Sequence, residues 1–288
     1  MRASLVTSPG EFLERAGPLL EADEARHNLI LSLAHMLSDR PDVYPEFGLW
    51  VAEESGVPRA AALITPPHGL VLADAADHEA LAALAASVLE SAVPIPGVVG
   101  NRPAVDDFIT VWVGLTGVTP RLRMAQGLFA LDRVRPVAAV SGRPRPATRA
   151  DRPLVIEWVL DFEAEALPNH PHDRERTVRG VDRMLDAARR DSGMWLWEVG
   201  AEPVSLVAYS SPSPAGARIG PVYTPHPLRR RGYGTALVAA ISTWLLGQGR
   251  RRCCLYTDLS NPTSNAIYRA IGYQHVAESA DYGFEPAG

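Results

Sequence analysis

The sequence predicts an α/β (α+β) fold of two domains, and three observations predict it. The chain has 288 residues, 47% of them apolar, which is enough for two ordinary globular domains. Near its middle, Arg133 to Ala147 is rich in Pro, Gly and Arg between periodic segments, as a linker would be. On either side of that stretch the same order of strand and helix patterns recurs. The expected boundaries are 1–135 for a first domain, 136–146 for a linker and 147–288 for a second domain.

The first half opens its recurring pattern with Leu49-Trp50-Val51-Ala52, a polar turn at Glu54-Ser55-Gly56, and an apolar run to Thr65, which reads as a hairpin. A short strand over 69–72, a helix over 78–90, a strand over 96–99, a helix over 104–115 and a strand over 124–131 follow. In the second half a helix over 152–166 and a polar loop over 167–173 precede the hairpin Leu196-Trp197-Glu198-Val199-Gly200-Ala201-Glu202-Pro203, which runs on to Tyr209. Next come a strand over 217–224, an apolar helix over 233–246, a strand holding Cys253 and Cys254, and a helix that starts after Asn261. Adjacent cysteines in a strand point to opposite faces, so both read as buried packing residues and not as a disulfide.

Composition excludes several chemistries. All 28 basic residues are arginine, so a Walker-A lysine, a Schiff-base lysine and pyridoxal phosphate chemistry are excluded. The net charge of −5 argues against nucleic acid as a partner. With no apolar run of membrane-spanning length, and mixed charge from Met1 to Arg15 where a signal peptide would be apolar, the expectation is a soluble, cytoplasmic protein with no membrane partner. His170, His172 and Asp173 have a strand-like His-x-His spacing, but this is common in Pro-rich loops, and no metal is expected. Arg250 to Arg252 close a helix and open a strand, where they compensate a helix dipole or meet a 3′-phosphate.

The strongest signal is Val222-Tyr223-Thr224-Pro225-His226-Pro227-Leu228-Arg229-Arg230-Arg231-Gly232-Tyr233-Gly234-Thr235. A strand ends in arginines and glycines, and an apolar helix begins. Glycines let backbone N–H groups approach a phosphate, the helix N-terminus favours an anion, and arginines add charge-assisted hydrogen bonds. About 25 residues on, Asp258-Leu259-Ser260-Asn261-Pro262-Thr263-Ser264-Asn265-Ala266-Ile267-Tyr268 forms a second strand, cap and helix.

In order and spacing these two blocks resemble the GCN5-related N-acetyltransferase (GNAT) superfamily, over about the last third of the chain. The resemblance implies a mixed, mostly antiparallel twisted sheet flanked by helices in each half, that is, two tandem GNAT-like domains. It also implies acetyl-CoA as co-substrate. Backbone groups around Val222, Tyr223 and Thr224 would face the acetyl and pantetheine groups, while Arg229, Arg230, Arg231, Gly232, Tyr233, Gly234 and Thr235 would hold the pyrophosphate. Asn261 would contact the cofactor arm, although an N-cap role reads equally from Asn-Pro, and Asn265 is a cofactor contact or polar filling. Tyr268 would lie near the sulfur and return a proton to the departing thiolate, unless it is only a core aromatic.

The implied reaction is direct attack of a primary amine on the thioester. The strand 217–224 holds no carboxylate to serve as base, so Glu198 on the hairpin is the candidate, with Glu163 and Glu165 in the helix 152–166 able to reach the acceptor pocket. In the first half, Ala73-Asp74-Ala75-Ala76-Asp77-His78-Glu79-Ala80 stands where the arginines and glycines would be, and three carboxylates would repel a pyrophosphate. Asn101 and Phe108 keep the seven-residue interval of Asn261 and Tyr268 without the hydroxyl, so the first half reads as a degenerate, non-catalytic copy. The expected activity is acyl transfer to the amine of a small molecule by a monomer or homodimer. A peptide or protein acceptor, or a CoA-binding sensor without turnover, are the competing readings.

Overall fold

Strand alternation accounts for the layers of both halves. In the computed structural model, which describes residues 1–40, 43–44, 46–75, 77–169, 172–186, 191–211 and 216–286, contacts divide the chain into two units. One comprises Met1–Leu128, Asp258–Ser260 and Val276–Gly288, and the other Phe129–Thr257 and Asn261–His275.

The first unit contains β1 (Arg2–Leu5), α1 (Pro9–Ala22), α2 (Asn28–Asp39), β2 (Gly48–Glu54), β3 (Val57–Ile64), β4 (Leu70–Leu72), α3 (His78–Glu90), β5 (Gly97–Asn101) and α4 (Ala104–Thr116). β6 (Thr119–Leu131) runs from this unit into the second. The sheet order is β1-β2-β3-β4-β5, antiparallel except for the parallel β4 and β5 pair. Trp50, Ala52 and Ala62 point to α3 and α4, while Leu49, Val51 and Ala61 point to α1 and α2, so each face buries its own core.

The second unit contains β7 (Arg143–Pro146), α5 (Arg152–Ala166), α6 (Arg174–Met184), β8 (Ser192–Val199), β9 (Glu202–Ser210), β10 (Gly216–Tyr223), α7 (Tyr233–Gly247), β11 (Arg252–Asp258) and α8 (Pro262–Ile271). Its sheet order is β7-β8-β9-β10-β11. Trp197 and Val207 join α7 and α8 on one face; Leu196, Leu206 and Ala208 join α5 and α6 on the other. Among the described residues no helix is long and apolar enough to cross a membrane.

The two hairpins share more than their order. Each turn places two residues at positive φ, Ser55 and Gly56 in one and Gly200 and Ala201 in the other, the geometry of a two-residue turn matched to strand twist. Each then slips register at the same place, with Glu53 opposite Pro58 and Glu198 opposite Pro203.

Two segments differ from the sequence expectation. The 136–146 stretch ends in a strand, because β7 pairs with β8 from Arg143 opposite Glu198 to Pro146 opposite Trp195. Its alternating prolines suit an edge strand, where one side of the backbone needs no partner. The chain also does not finish in the second unit. Its last strand, β12 (Gln274–Glu285), pairs antiparallel with β5 from Ser279 opposite Asn101 to Gly283 opposite Gly97.

Candidate functional site

The site begins where two parallel strands part. β10 pairs with β11 only from Gly216 opposite Arg252 to Arg218 opposite Cys254, although both strands continue. On its other side β10 stays paired with β9, Val222 opposite Val207 and Tyr223 opposite Leu206, after a register shift between Ile219 and Val222. The end of β10 is therefore held on one edge and open on the edge towards β11. Ser205 Oγ donates to the Tyr223 carbonyl at 3.1 Å and lies 2.9 Å from Thr224 Oγ1, which holds the strand end. Alternation sends Val222 to the α7 face and Tyr223 to the α5 face.

The chain then crosses to α7. After a short turn at His226–Leu228, Arg229 is extended, Arg230 is left-handed at φ 62°, and Gly232 is left-handed at φ 82°. Gly232 is the N-cap of α7 and supplies no side-chain cap, so the first N–H groups of the helix keep their hydrogen-bonding capacity. Consecutive N–H groups after left-handed residues form a concave anion site, and the helix dipole reinforces it. A Cβ on Gly232 would meet Val140 Cγ1 at 2.8 Å, and one on Gly234 would meet Thr224 Oγ1 at 3.3 Å. Gly232 is therefore fixed by its left-handed φ and by shape, while a methyl at Gly234 would require Thr224 to give by a few tenths of an ångström. Arg230 and Arg231 are exposed and Thr235 is half-buried, while the Tyr233 ring is buried in the core, leaving only its backbone for a ligand.

α8 brings the second block alongside. Asn261 accepts from the Ser264 N–H at 3.1 Å, so its side chain is the N-cap of α8, with Pro262 at the first position. Asn265 is buried. Tyr268 is half-buried and packs, with Val222 and Ile267, on the same core as α7. Its ring meets Tyr273 edge-on, 6.0 Å between centroids. Loss of water around the Tyr268 phenol pushes its pKa up to about 12.

The carboxylates fall differently from expectation. Glu198 accepts from Arg145 Nε at 2.6 Å and from Arg143 at 3.1 Å, and these guanidiniums hold its pKa below the usual range. That is the opposite of what a general base needs. Its counterpart Glu53 is likewise paired, with Arg15 at 2.8 Å, so this carboxylate anchors the hairpin in both units. Glu163 accepts from Thr177 Oγ1 at 2.8 Å and ties α5 to α6. Glu165 does reach the end of β10, where Arg229 and the Tyr223 hydroxyl meet it. Asp161 was not singled out from sequence, yet it faces the same hydroxyl at 3.3 Å. Its signal was its place one turn before Glu165 on the predicted helix. Burial, then the charges of Asp161 and Glu165, push the Tyr223 pKa up to about 12.

His170 lies outside the described residues. Among the described residues no three His, Cys, Asp or Glu side chains gather as a metal site.

The first unit has the same parting of strands, and it is filled. β4 and β5 pair at Leu70 opposite Val98 and Val71 opposite Val99. Beyond them the Asp74 N–H donates to His27 Nε2 at 3.1 Å, Asn101 Nδ2 donates to the Arg26 carbonyl at 3.0 Å, and Arg26 pairs with Asp74 at 2.6 Å. The helix that follows is capped as well, since the Asp77 carboxylate accepts from the N–H groups of Glu79 and Ala80. Phe108, fully buried, stacks on Trp112 at 5.8 Å where the other unit has Tyr268.

Residues 155–273 match a family model described as the acetyltransferase (GNAT) family. Among solved structures, a Drosophila protein superposes with TM-score 0.70 at 15% identity, over 98% of each chain. A GCN5-related N-acetyltransferase from Sphaerobacter thermophilus gives 0.64 at 16% identity, over 97% of this chain and 94% of that one. A tandem GNAT protein from the clavulanic acid biosynthesis pathway gives 0.60 at 15%, over 100% and 99%. At these identities the likeness speaks for the fold, and it spans both halves. No curated protein matches the chain by sequence.

Proposed function

We propose that this chain is a GNAT acetyltransferase that transfers an acetyl group from acetyl-CoA to the primary amine of a small molecule, using the second unit alone, a reading supported by the match of residues 155–273 to the acetyltransferase (GNAT) family model. The observation that carries this reading is the contrast between two helix starts. α7 begins on a bare Gly232 with Arg230 and Arg231 exposed beside it, whereas α3 begins under the carboxylate of Asp77. An anion is attracted to the first and repelled by the second.

In this reading the pyrophosphate sits on the first turn of α7, and the thioester carbonyl lies along the open edge of β10 near Val222. Backbone N–H groups there offset the negative charge that develops on the carbonyl oxygen. The amine arrives from the α5 face as an ammonium, towards Tyr223, Asp161 and Glu165. Among the described residues Asp161 carries no ion pair, and it takes the ammonium proton. The neutral amine attacks the carbonyl, the C–N bond forms and the C–S bond breaks. Tyr268 gives its proton to the departing thiolate and is reprotonated from solvent. A phenol with its pKa pushed up to about 12 keeps that proton throughout the neutral range.

The test is thiol release from acetyl-CoA with a panel of amines. Turnover is expected with at least one, and Tyr268→Phe is expected to lower kcat by about 10²-fold or more while acetyl-CoA affinity is kept. Tight binding with no turnover on any amine would replace this reading with that of a CoA sensor.

A further inference from the structure

We propose that Arg229 is a positioning residue that ties the phosphate-binding loop to the acceptor-side helix α5, and that it is not a phosphate ligand. The proposal rests on the acetyl-CoA reading of the second unit and divides the labour among its three arginines.

The Arg229 guanidinium is committed in three directions. Its Nε donates to the Thr224 carbonyl at 2.8 Å, its Nη2 pairs with Glu165, and its central carbon lies 5.7 Å over the Tyr223 ring. Such a planar fork, fixed by a carbonyl, a carboxylate and an aromatic face, loses all three contacts if it turns to another anion. Arg230 and Arg231 are held far less. Arg230 is exposed, and Arg231 makes one long contact of 3.4 Å to the Pro227 carbonyl.

Moving Arg229 away would also leave Glu165 and Asp161 uncompensated around the one Tyr223 hydroxyl, at 3.4 and 3.3 Å. Like charges four residues apart on one helix face repel. With Arg229 in place one carboxylate is neutralised, and Asp161 is left to meet the incoming ammonium. The same residue thus fixes the strand end and sets the charge of the acceptor side.

Calorimetric binding of acetyl-CoA, repeated at two salt concentrations, separates the arginines. Arg231→Ala is expected to weaken binding about tenfold and reduce its salt dependence, while Arg229→Ala and Arg229→Gln stay within about twofold of wild type. In turnover, Arg229→Ala and Glu165→Gln each lower kcat/KM for the amine, and the double variant is no worse than either single one. Arg229→Lys recovers part of the loss.

Arg229 variants that lose acetyl-CoA affinity as Arg231→Ala does would overturn the proposal, as would full additivity in the double variant. Either result leaves the wider reading intact. Wild-type protein that binds no acetyl-CoA would overturn both.

Discussion

His27 shows how one residue can fill a gap between strands. His27 is buried, with Nδ1 3.0 Å from the Leu20 carbonyl and Nε2 accepting the Asp74 N–H. To accept at Nε2 the ring must be neutral with its proton on Nδ1. Burial lowers its pKa below 6.5, against the smaller opposing effects of the Leu20 carbonyl, Asp74 and Asp23, with Arg26 adding to the lowering. A depressed folded-state pKa contributes stability that is present above the unfolded value and lost as pH falls. The melting temperature should therefore drop below about pH 6.5 in the wild type. His27→Gln, which keeps an acceptor without a titrating ring, should flatten that drop; an unchanged profile would show that His27 is not its source. Residue roles were legible from sequence where the partner is local, as with the Asn261 cap before Pro262. They were not legible where the partner is distant: nothing near Arg229 points to Glu165, 64 positions away.

At the scale of elements, function follows from what begins each helix. The Asp77 carboxylate on α3 is worth about 1 kcal/mol as a cap, so Asp77→Ala should cost about that much on thermal unfolding and leave acetyl-CoA affinity unchanged. Gly232→Ala should behave differently. A left-handed φ of 82° and the contact with Val140 make an added methyl cost about 1–2 kcal/mol, and acetyl-CoA binding should weaken with it. Equal affinity losses in the two variants would contradict the distinction between the helix starts. Helix α5 was read with both its ends from apolar spacing, and α3 likewise, because their periodicity and first turns are local signals. β7 was read as linker because arginine and proline are poor strand formers, and only its pairing with β8 makes Arg143–Pro146 a strand. Its Arg145 then holds Asp151, whose pKa falls to about 2, so that tie survives until strongly acidic pH.

For the whole molecule, the tandem fold was visible in the repeated order of elements, and the structure adds the matching Glu53–Pro58 and Glu198–Pro203 registers. The path of the last strand was not. β12 was not read from the sequence, and a strand's own residues carry little information on which sheet receives it; it pairs with β5 of the first unit. The two copies share architecture and differ in occupancy of one gap. In the first unit His27 and Arg26 fill it and Asp77 caps the helix beyond; in the second the edge of β10 is open and Gly232 leaves the start of α7 bare. That difference is the central claim, and the stoichiometry of acetyl-CoA binding by titration calorimetry tests it most directly. The account predicts a single site per chain that Arg231→Ala weakens and Asp77→Ala does not change. Two sites per chain, or a single site weakened by Asp77→Ala and not by Arg231→Ala, would contradict it.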